Sequence, residues 1–168
     1  KTAQIPAKAC PEKQEAWKTS VFEPLKQRAE AGEIALLFGD AMHCVMGVFL
    51  SFLWSFTRVF IRSSPGRKRL NVIGALNAIN KKVSYMTNTT RVNAETMMTF
   101  LTQLRSEYGE KPIHLILDNA RYQHCKAVKE FAIAIDIHLV FLPPYSPNLN
   151  IIERLWKWTK KMFVCSVL

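Results

Sequence analysis

The sequence predicts an α/β domain whose mixed sheet is covered by helices on both faces. Three observations lead to this prediction: short apolar runs typical of buried strands, amphipathic segments with helical spacing, and the order in which they alternate. Strands come first, and helix, strand, helix, strand and helix follow. With 168 residues, 49% of them hydrophobic and 21% charged, the chain has the size and composition of one globular domain with its own core.

The N-terminal part predicts a linker followed by a helix. Residues 1–10 show no periodicity, which is typical of a linker. Apolar residues then recur at helical spacing from Trp17 to Ala29. Within this stretch Pro24 either kinks the helix or starts a second piece, and Gly32 is expected to end it.

The rest of the chain alternates between strand and helix patterns. Strands are recognised by short apolar, β-branched or aromatic runs bounded by turn residues, and helices by an apolar stripe that repeats every 3.6 residues. A basic turn is expected at residues 66–69. Strands are predicted at 34–38, 45–61, 70–76, 83–86, 113–117 and 137–142, and helices at 94–108, 123–133 and 151–163.

The charge of the chain favours a polyanionic partner. It has 23 Lys and Arg against 13 Asp and Glu, a net charge of +10 and a pI near 9.7. Such a surface attracts nucleic acid first and an acidic membrane second. The longest stretch without Asp, Glu, Lys or Arg, residues 41–57, has 17 residues, whereas a membrane span needs about 20. The four cysteines form no C-x-x-C pair, so neither a zinc ribbon nor a disulfide scaffold is predicted.

Three carboxylates stand at positions where α/β proteins often place functional groups. Asp40 and Asp118 each follow a predicted strand, and Glu153 lies in the first turn of the last predicted helix. Each also has an ordinary structural explanation. An aspartate after a strand commonly starts a turn, and Glu153 would complete a capping box if Asn150 were the N-cap.

The arrangement of the three carboxylates favours a metal site over these local explanations. Between Asp118 and Glu153 lie 34 residues, which form a predicted helix, strand and proline loop that return the chain to the same edge of the sheet. Carboxylates that converge there repel one another unless cations lie between them. Two Mg²⁺ ions roughly 3.5–4 Å apart, held by carboxylates, are typical of enzymes that cut or transfer phosphodiesters.

These residues also carry a family resemblance. The segments "GDAMH", "LILDNARYQHC" and "LPPYSPNLNIIERLWKW", with "PAKACPEKQ" and "SSPGRKRLNVIGALNA", resemble the DDE transposases of the mariner superfamily, specifically the bacterial insertion-sequence branch. The 34-residue spacing is a signature of that branch. The resemblance implies an RNase H-like fold, a mixed five-stranded sheet flanked by helices. It also implies that residues 33–168 are the catalytic domain and residues 1–32 a linker and helix from a missing upstream DNA-binding region.

The resemblance further implies an activity and its site. Asp40 matches the carboxylate that bridges two metal ions, and Asp118 and Glu153 match those that each hold one. The expected cofactor is Mg²⁺ or Mn²⁺, two ions per site, and the expected reaction is cleavage of DNA at transposon ends followed by strand transfer of the 3′-OH into target DNA. The expected partners are transposon-end and target DNA and a second copy in a homodimer, with no membrane. The expected location is the bacterial cytoplasm, associated with the nucleoid.

Other residues are assigned supporting roles. His43 and Asn119 are expected to orient the catalytic aspartates, although a histidine satisfied in the core and a turn-capping asparagine are the ordinary alternatives. Trp156 and Trp158 cannot share a helix face, so one is expected on the sheet and the other at the surface. DNA contacts are expected from exposed cations, although charge runs are usually just solvated. These are Arg67, Lys68, Arg69, Arg121, Lys157, Lys160 and Lys161.

Three alternatives to an active transposase remain open at this level. One is an inactive or truncated remnant that retains DNA binding, and another is an RNase H-type nuclease without strand transfer. The third is a lipid-anchored protein, because the final "CSVL" superficially fits a prenylation signal. Ser166 is not aliphatic, which disfavours the third.

Ile151 stands where the family often has Pro, a change that loosens the start of the helix without removing a ligand.

Overall fold

Five strands form one mixed sheet in a computed structural model that describes residues 10–45, 56–57, 60 and 69–164. The strand order is β3-β2-β1-β4-β5. The pairs β1–β2 and β2–β3 are antiparallel, whereas β1–β4 and β4–β5 are parallel. The mixed five-stranded sheet expected from the sequence is therefore confirmed. The strands are β1 (Ala35–Val45), β2 (Arg69–Asn77), β3 (Val83–Asn88), β4 (Ile113–Leu117) and β5 (Ile137–Phe141).

Helices cover both faces of the sheet. Those on one face, the α3/α4 face, bury residues such as Leu101 and Val128 against odd-numbered residues of β1 and β4. Those on the other, the α5 face, bury Trp156 against even-numbered residues of the same strands. The helices are α1 (Pro11–Trp17), α2 (Glu23–Glu30), α3 (Ala94–Tyr108), α4 (Lys126–Ala134) and α5 (Ile152–Val164). Within the described ranges, none is both long and apolar enough to cross a membrane.

The N-terminal helix is continuous but changes pitch before Pro24. A π-helical turn, Lys18–Phe22, joins α1 to α2, and the Glu23 N–H donates to the carbonyl of Lys18. Pro24 has no N–H and its ring crowds the preceding turn, so the helix widens there. Gly32 ends it with a φ of 82°, as expected. The helix packs on the α5 face of the sheet through Ala29.

Two predicted elements have different bounds in the structure. The first strand extends to Val45 instead of ending at residue 38, because its pairing with β2 continues to Val45 after the last pair with β4 at Phe38. The helix predicted from residue 123 begins at Lys126, because Gln123 is buried in a turn closed by its own N–H and the carbonyl of Ala120.

The strand predicted at 45–61 lies almost entirely outside the described residues. Of its interior, residues 56–57 and 60 are described, and they are not in a strand. Of the predicted basic turn, Arg69 instead opens β2, while residues 66–68 lie outside the described ranges.

Candidate active site

Strand register brings Asp40 and Asp118 to the same level of the sheet. The last pair between β1 and β4 is Phe38 with Ile116, and each aspartate lies two residues further along its own segment. Side chains alternate between faces, so both aspartates continue the α5 face on which Phe38 and Ile116 are buried. The two carboxylates therefore belong to adjacent parallel segments on one face.

Asp40 lies inside β1 and not at its end, which corrects the sequence prediction. Its ladder partner is Gly74 of β2. Its Oδ1 accepts the N–H of Ala41 at 2.7 Å. Asp118 lies just beyond β4, and its Oδ1 accepts the N–H of Ala120 at 3.3 Å. One aspartate is thus held in a strand and the other in a turn.

Glu153 reaches these aspartates because the start of α5 is fastened to β1. The side-chain Nδ2 of Asn150 donates to the carbonyl of Gly39 at 3.2 Å, a contact across 111 residues of sequence. The capping box, which was the ordinary alternative for Asn150 and Glu153, does not form, since the N–H of Glu153 bonds to the backbone carbonyl of Asn150 at 3.2 Å. The side chain of Asn150 binds the strand beside Asp40 instead.

The two tryptophans of α5 lie on different faces of the helix, as predicted. Trp156 is only 8% exposed and packs over Gly74, whereas Trp158 is 58% exposed. A Cβ at Gly74 would lie 2.7 Å from Cη2 of Trp156, closer than real carbon contacts allow. The glycine opposite Asp40 therefore provides the space in which α5 rests.

The carboxylates influence one another electrostatically. Burial, together with the charges of Asp118 and Glu153, raises the pKa of Asp40 to about 6, while the Ala41 N–H and His43 act against this rise. Burial also raises the pKa of Glu153, as does the charge of Asp118, and the Lys157 ammonium opposes the shift. Concentrated negative charge that is partly withdrawn from water is the condition that a bound cation relieves.

A cavity of about 480 Å³ opens beside two of the carboxylates. Asp118 and Glu153 line it, with Asn150 and the proline loop at residues 143–147, whereas Asp40 is not part of its wall. In the described part of the chain, no three His, Cys, Asp or Glu side chains are arranged closely enough to hold one metal ion. The three carboxylates are neighbours, but their oxygens do not converge on a common point.

The two residues expected to orient the aspartates make other contacts. The Nδ1 of His43 lies 2.7 Å from Oδ1 of its ladder partner Asn71, on the opposite side of β1 from Asp40. Asn119 donates from Nδ2 to the carbonyl of Leu142 at 2.7 Å, and its Oδ1 lies 3.1 Å from Nε2 of His124. Asn119 thereby joins the end of β4 to the start of the proline loop.

The residues predicted to contact DNA lie at different distances from the carboxylates. Lys157 lies one helical turn after Glu153, and Lys160 and Lys161 follow on exposed positions of α5. Arg121 is exposed in the turn after Asp118, and Arg69 is exposed at the start of β2. Arg67 and Lys68 lie outside the described residues.

Tyr122 was not predicted as part of the site. Its hydroxyl accepts a hydrogen bond from Nε2 of buried Gln123 at 3.2 Å. Burial, with the charges of Asp118 and Asp40, raises the pKa of Tyr122 to about 12. Its position after Asp118 in the sequence carries no periodic signal, because the segment is a turn.

The family of the chain follows from its sequence match. Residues 36–164 match the DDE superfamily endonuclease family. The chain belongs to this family. The match includes residues of all five strands and the three carboxylates described above. No curated protein sequence matches this DDE superfamily member.

Solved structures support the RNase H-like fold of this DDE endonuclease domain. A Mos1 transposase paired-end complex with left transposon end has a TM-score of 0.65 and 16% identity, over 94% of this chain and 51% of that one. The Mos1 mariner paired end complex with Mn has a TM-score of 0.65 and 14% identity, over 97% and 52%. The catalytic core domain of BIV integrase has a TM-score of 0.50 and 14% identity, over 74% and 64%. This chain spans about half the length of the Mos1 chains it matches.

The donor set suits a hard divalent cation. Carboxylate oxygens are the ligands that Mg²⁺ and Mn²⁺ prefer, and the raised pKa values of Asp40 and Glu153 reflect in part the like charge that such an ion neutralises. Asp40, Asp118 and Glu153 are the residues that fit this role.

Proposed function

We propose that this chain is the catalytic domain of a transposase that cleaves DNA at transposon ends and joins the 3′-OH to target DNA. One observation carries the proposal. In a DDE endonuclease domain, Asp40 and Asp118 lie at the same level of adjacent segments of the sheet, and the hydrogen bond from Asn150 to the Gly39 carbonyl brings the start of the helix that carries Glu153 beside them. Residues 33–168 form the catalytic domain, and residues 1–32 lead to it from a DNA-binding region. The active form is a homodimer that acts on DNA in the bacterial nucleoid.

Asp40, Asp118 and Glu153 would hold Mg²⁺ or Mn²⁺, two ions per site, with Asp40 as the ligand common to both ions. When bound, such ions polarise the attacking oxygen and stabilise charge on the departing one. In cleavage, the water oxygen bonds to phosphorus as the phosphorus–oxygen bond to the 3′ carbon's oxygen breaks, leaving a 3′-OH and a 5′-phosphate. In joining, the 3′-OH takes the place of water. Lys157 is exposed one turn from Glu153, which supports a contact between its ammonium group and a DNA phosphate.

Nicking and joining of a short labelled duplex in Mn²⁺ at low salt test the proposal. The wild type is compared with Asp118→Asn and Glu153→Gln, which keep the shape of each side chain and remove its charge. Asp136→Asn is the matched control, because Asp136 lies just before β5 at the opposite end of the sheet and pairs with Arg105.

We expect the two site variants to lose nicking by at least about a hundredfold, and the control to keep it. Nicked products without joined products would favour an RNase H-type nuclease. A wild type that binds DNA and never cuts it would contradict the proposal and favour an inactive remnant.

A further inference from the structure

The structure assigns a positioning role to Asn150: its side-chain amide sets the distance between Glu153 and Asp40. This inference rests on the proposed function, since it concerns the same site. Asn150 is 2% exposed, and its Nδ2 donates to the carbonyl of Gly39, the residue before Asp40. Glu153 lies three residues after Asn150, and its N–H bonds to the Asn150 carbonyl. One residue thus joins the strand that carries the first carboxylate to the helix that carries the third.

A contribution to stability does not explain why an asparagine stands at this position. Its Oδ1 is buried and has no hydrogen-bond partner among the described residues. A buried polar atom without a partner is destabilising, and a helix-capping asparagine would have used this oxygen to accept an N–H. The donor, in contrast, is used across 111 residues of sequence. The contact that is made is the one that fixes the site.

Asn150 also lines the cavity beside Asp118 and Glu153. Without the hydrogen bond from the Asn150 side chain, the first turn of α5 keeps its backbone hydrogen bonds but loses this direct contact with β1. A displacement of about 1 Å at a catalytic group can cost on the order of a hundredfold in rate. Loss of a residue that orients a ligand typically weakens metal affinity by about 10–100-fold.

The test compares Asn150→Leu with Asn77→Leu. Leucine keeps the volume and removes the donor. Asn77 is a matched control because it is also buried, at 6% exposure, and also uses its side chain, which bonds to Tyr108 and to the N–H groups of Ile79 and Asn80 on the other face of the sheet. Mn²⁺ binding is measured by the loss of the free Mn²⁺ electron paramagnetic resonance signal, nicking by gel assay, and folding by urea titration.

We expect Asn150→Leu to weaken Mn²⁺ binding at least about tenfold and to need more Mn²⁺ for half-maximal nicking, while Asn77→Leu lowers stability and leaves Mn²⁺ affinity unchanged. Unchanged affinity in Asn150→Leu, with an active wild type, would overturn the positioning role alone. Equal weakening in both variants would also overturn it, because the loss would then be general loosening. A wild type that neither binds Mn²⁺ nor nicks DNA would overturn the proposed function and this inference together. If Asn150→Leu lacks a cooperative urea transition, Asn150→Ser, whose hydroxyl is too short to reach Gly39, replaces it.

Discussion

Gly74 lies directly opposite Asp40 in the β1–β2 ladder, and the ring of Trp156 covers the space that a side chain at Gly74 would need. The pairing of Asp40 with Gly74 therefore fixes both the position of this aspartate and the surface on which α5 packs. A change at Gly74 acts on the site through the helix, although Gly74 itself has no functional group.

We predict that Gly74→Ala destabilises the fold and impairs nicking. The new Cβ would approach Trp156 to 2.7 Å, and the rigid indole must move together with α5. Overpacking of this kind costs about 1–3 kcal/mol, and nicking should fall at least about tenfold because Glu153 is displaced. Urea unfolding and the nicking assay measure the two effects.

Gly39→Ala is the control for this prediction. Its Cβ would meet the ends of two flexible leucines, Leu117 at 2.8 Å and Leu115 at 3.1 Å, on the α3/α4 face. It should cost stability with a smaller loss of nicking. Equal nicking by the Gly74→Ala variant and the wild type would contradict the prediction.

We predict that Asp40→Asn stabilises the metal-free protein at neutral pH. The pKa of Asp40 rises from 3.8 to about 6 on folding, mainly through burial. Between these values the folded protein holds a proton that the unfolded chain has lost, so wild-type stability falls as pH rises through the interval. The rise corresponds to at most about 3 kcal/mol, and Asn removes this cost while it keeps an acceptor for the Ala41 N–H.

Urea unfolding in chelator at pH 7.5 and pH 4 checks the Asp40 prediction. The variant should be the more stable protein at pH 7.5, and the difference should shrink toward pH 4. A difference of the same size at both pH values would show that Asp40 titrates normally. The variant should also be inactive in nicking, which separates stability from function at this residue.

We predict that Tyr122 ionises well above the ordinary range of a tyrosine. Its pKa of about 12 comes from burial and from the nearby carboxylates. The folded protein keeps the phenol proton between about pH 10 and 12, so this residue makes stability fall as pH rises through that range. The phenolate absorbance near 295 nm should lose one late step in Tyr122→Phe. A titration with the same late step in the variant would contradict the assignment.

We predict that Lys157→Gln weakens DNA binding in a salt-dependent way. If Lys157 neutralises one phosphate, the slope of log affinity against log salt should fall by about 0.9. Lys126→Gln is the control, because Lys126 is exposed on α4, on the opposite face of the sheet, and pairs with Glu130. Fluorescence anisotropy at several salt concentrations measures both slopes. Identical slopes for the two variants would remove Lys157 from the DNA surface.

Short-range patterns predicted much of this fold but not the contacts that join its parts. The apolar run at 113–117 gave β4 its observed bounds, and helical geometry was enough to separate Trp156 from Trp158. The length of β1 was missed because it depends on pairing with β2, which no local pattern encodes. The contact made by the Asn150 side chain was missed for the same reason. The local pattern indicates a helix cap, whereas the side chain donates to the carbonyl of Gly39, which is distant in sequence.

The division of the carboxylates between sheet and helix has a consequence for synthesis of the protein on the ribosome. A nascent chain that has folded through β5 already has the sheet residues Asp40 and Asp118. It has no third carboxylate until α5 emerges and Trp156 settles over Gly74. Under the proposed function, we expect such incomplete chains not to cut DNA, because the last part of the site to be made is also the part that completes it.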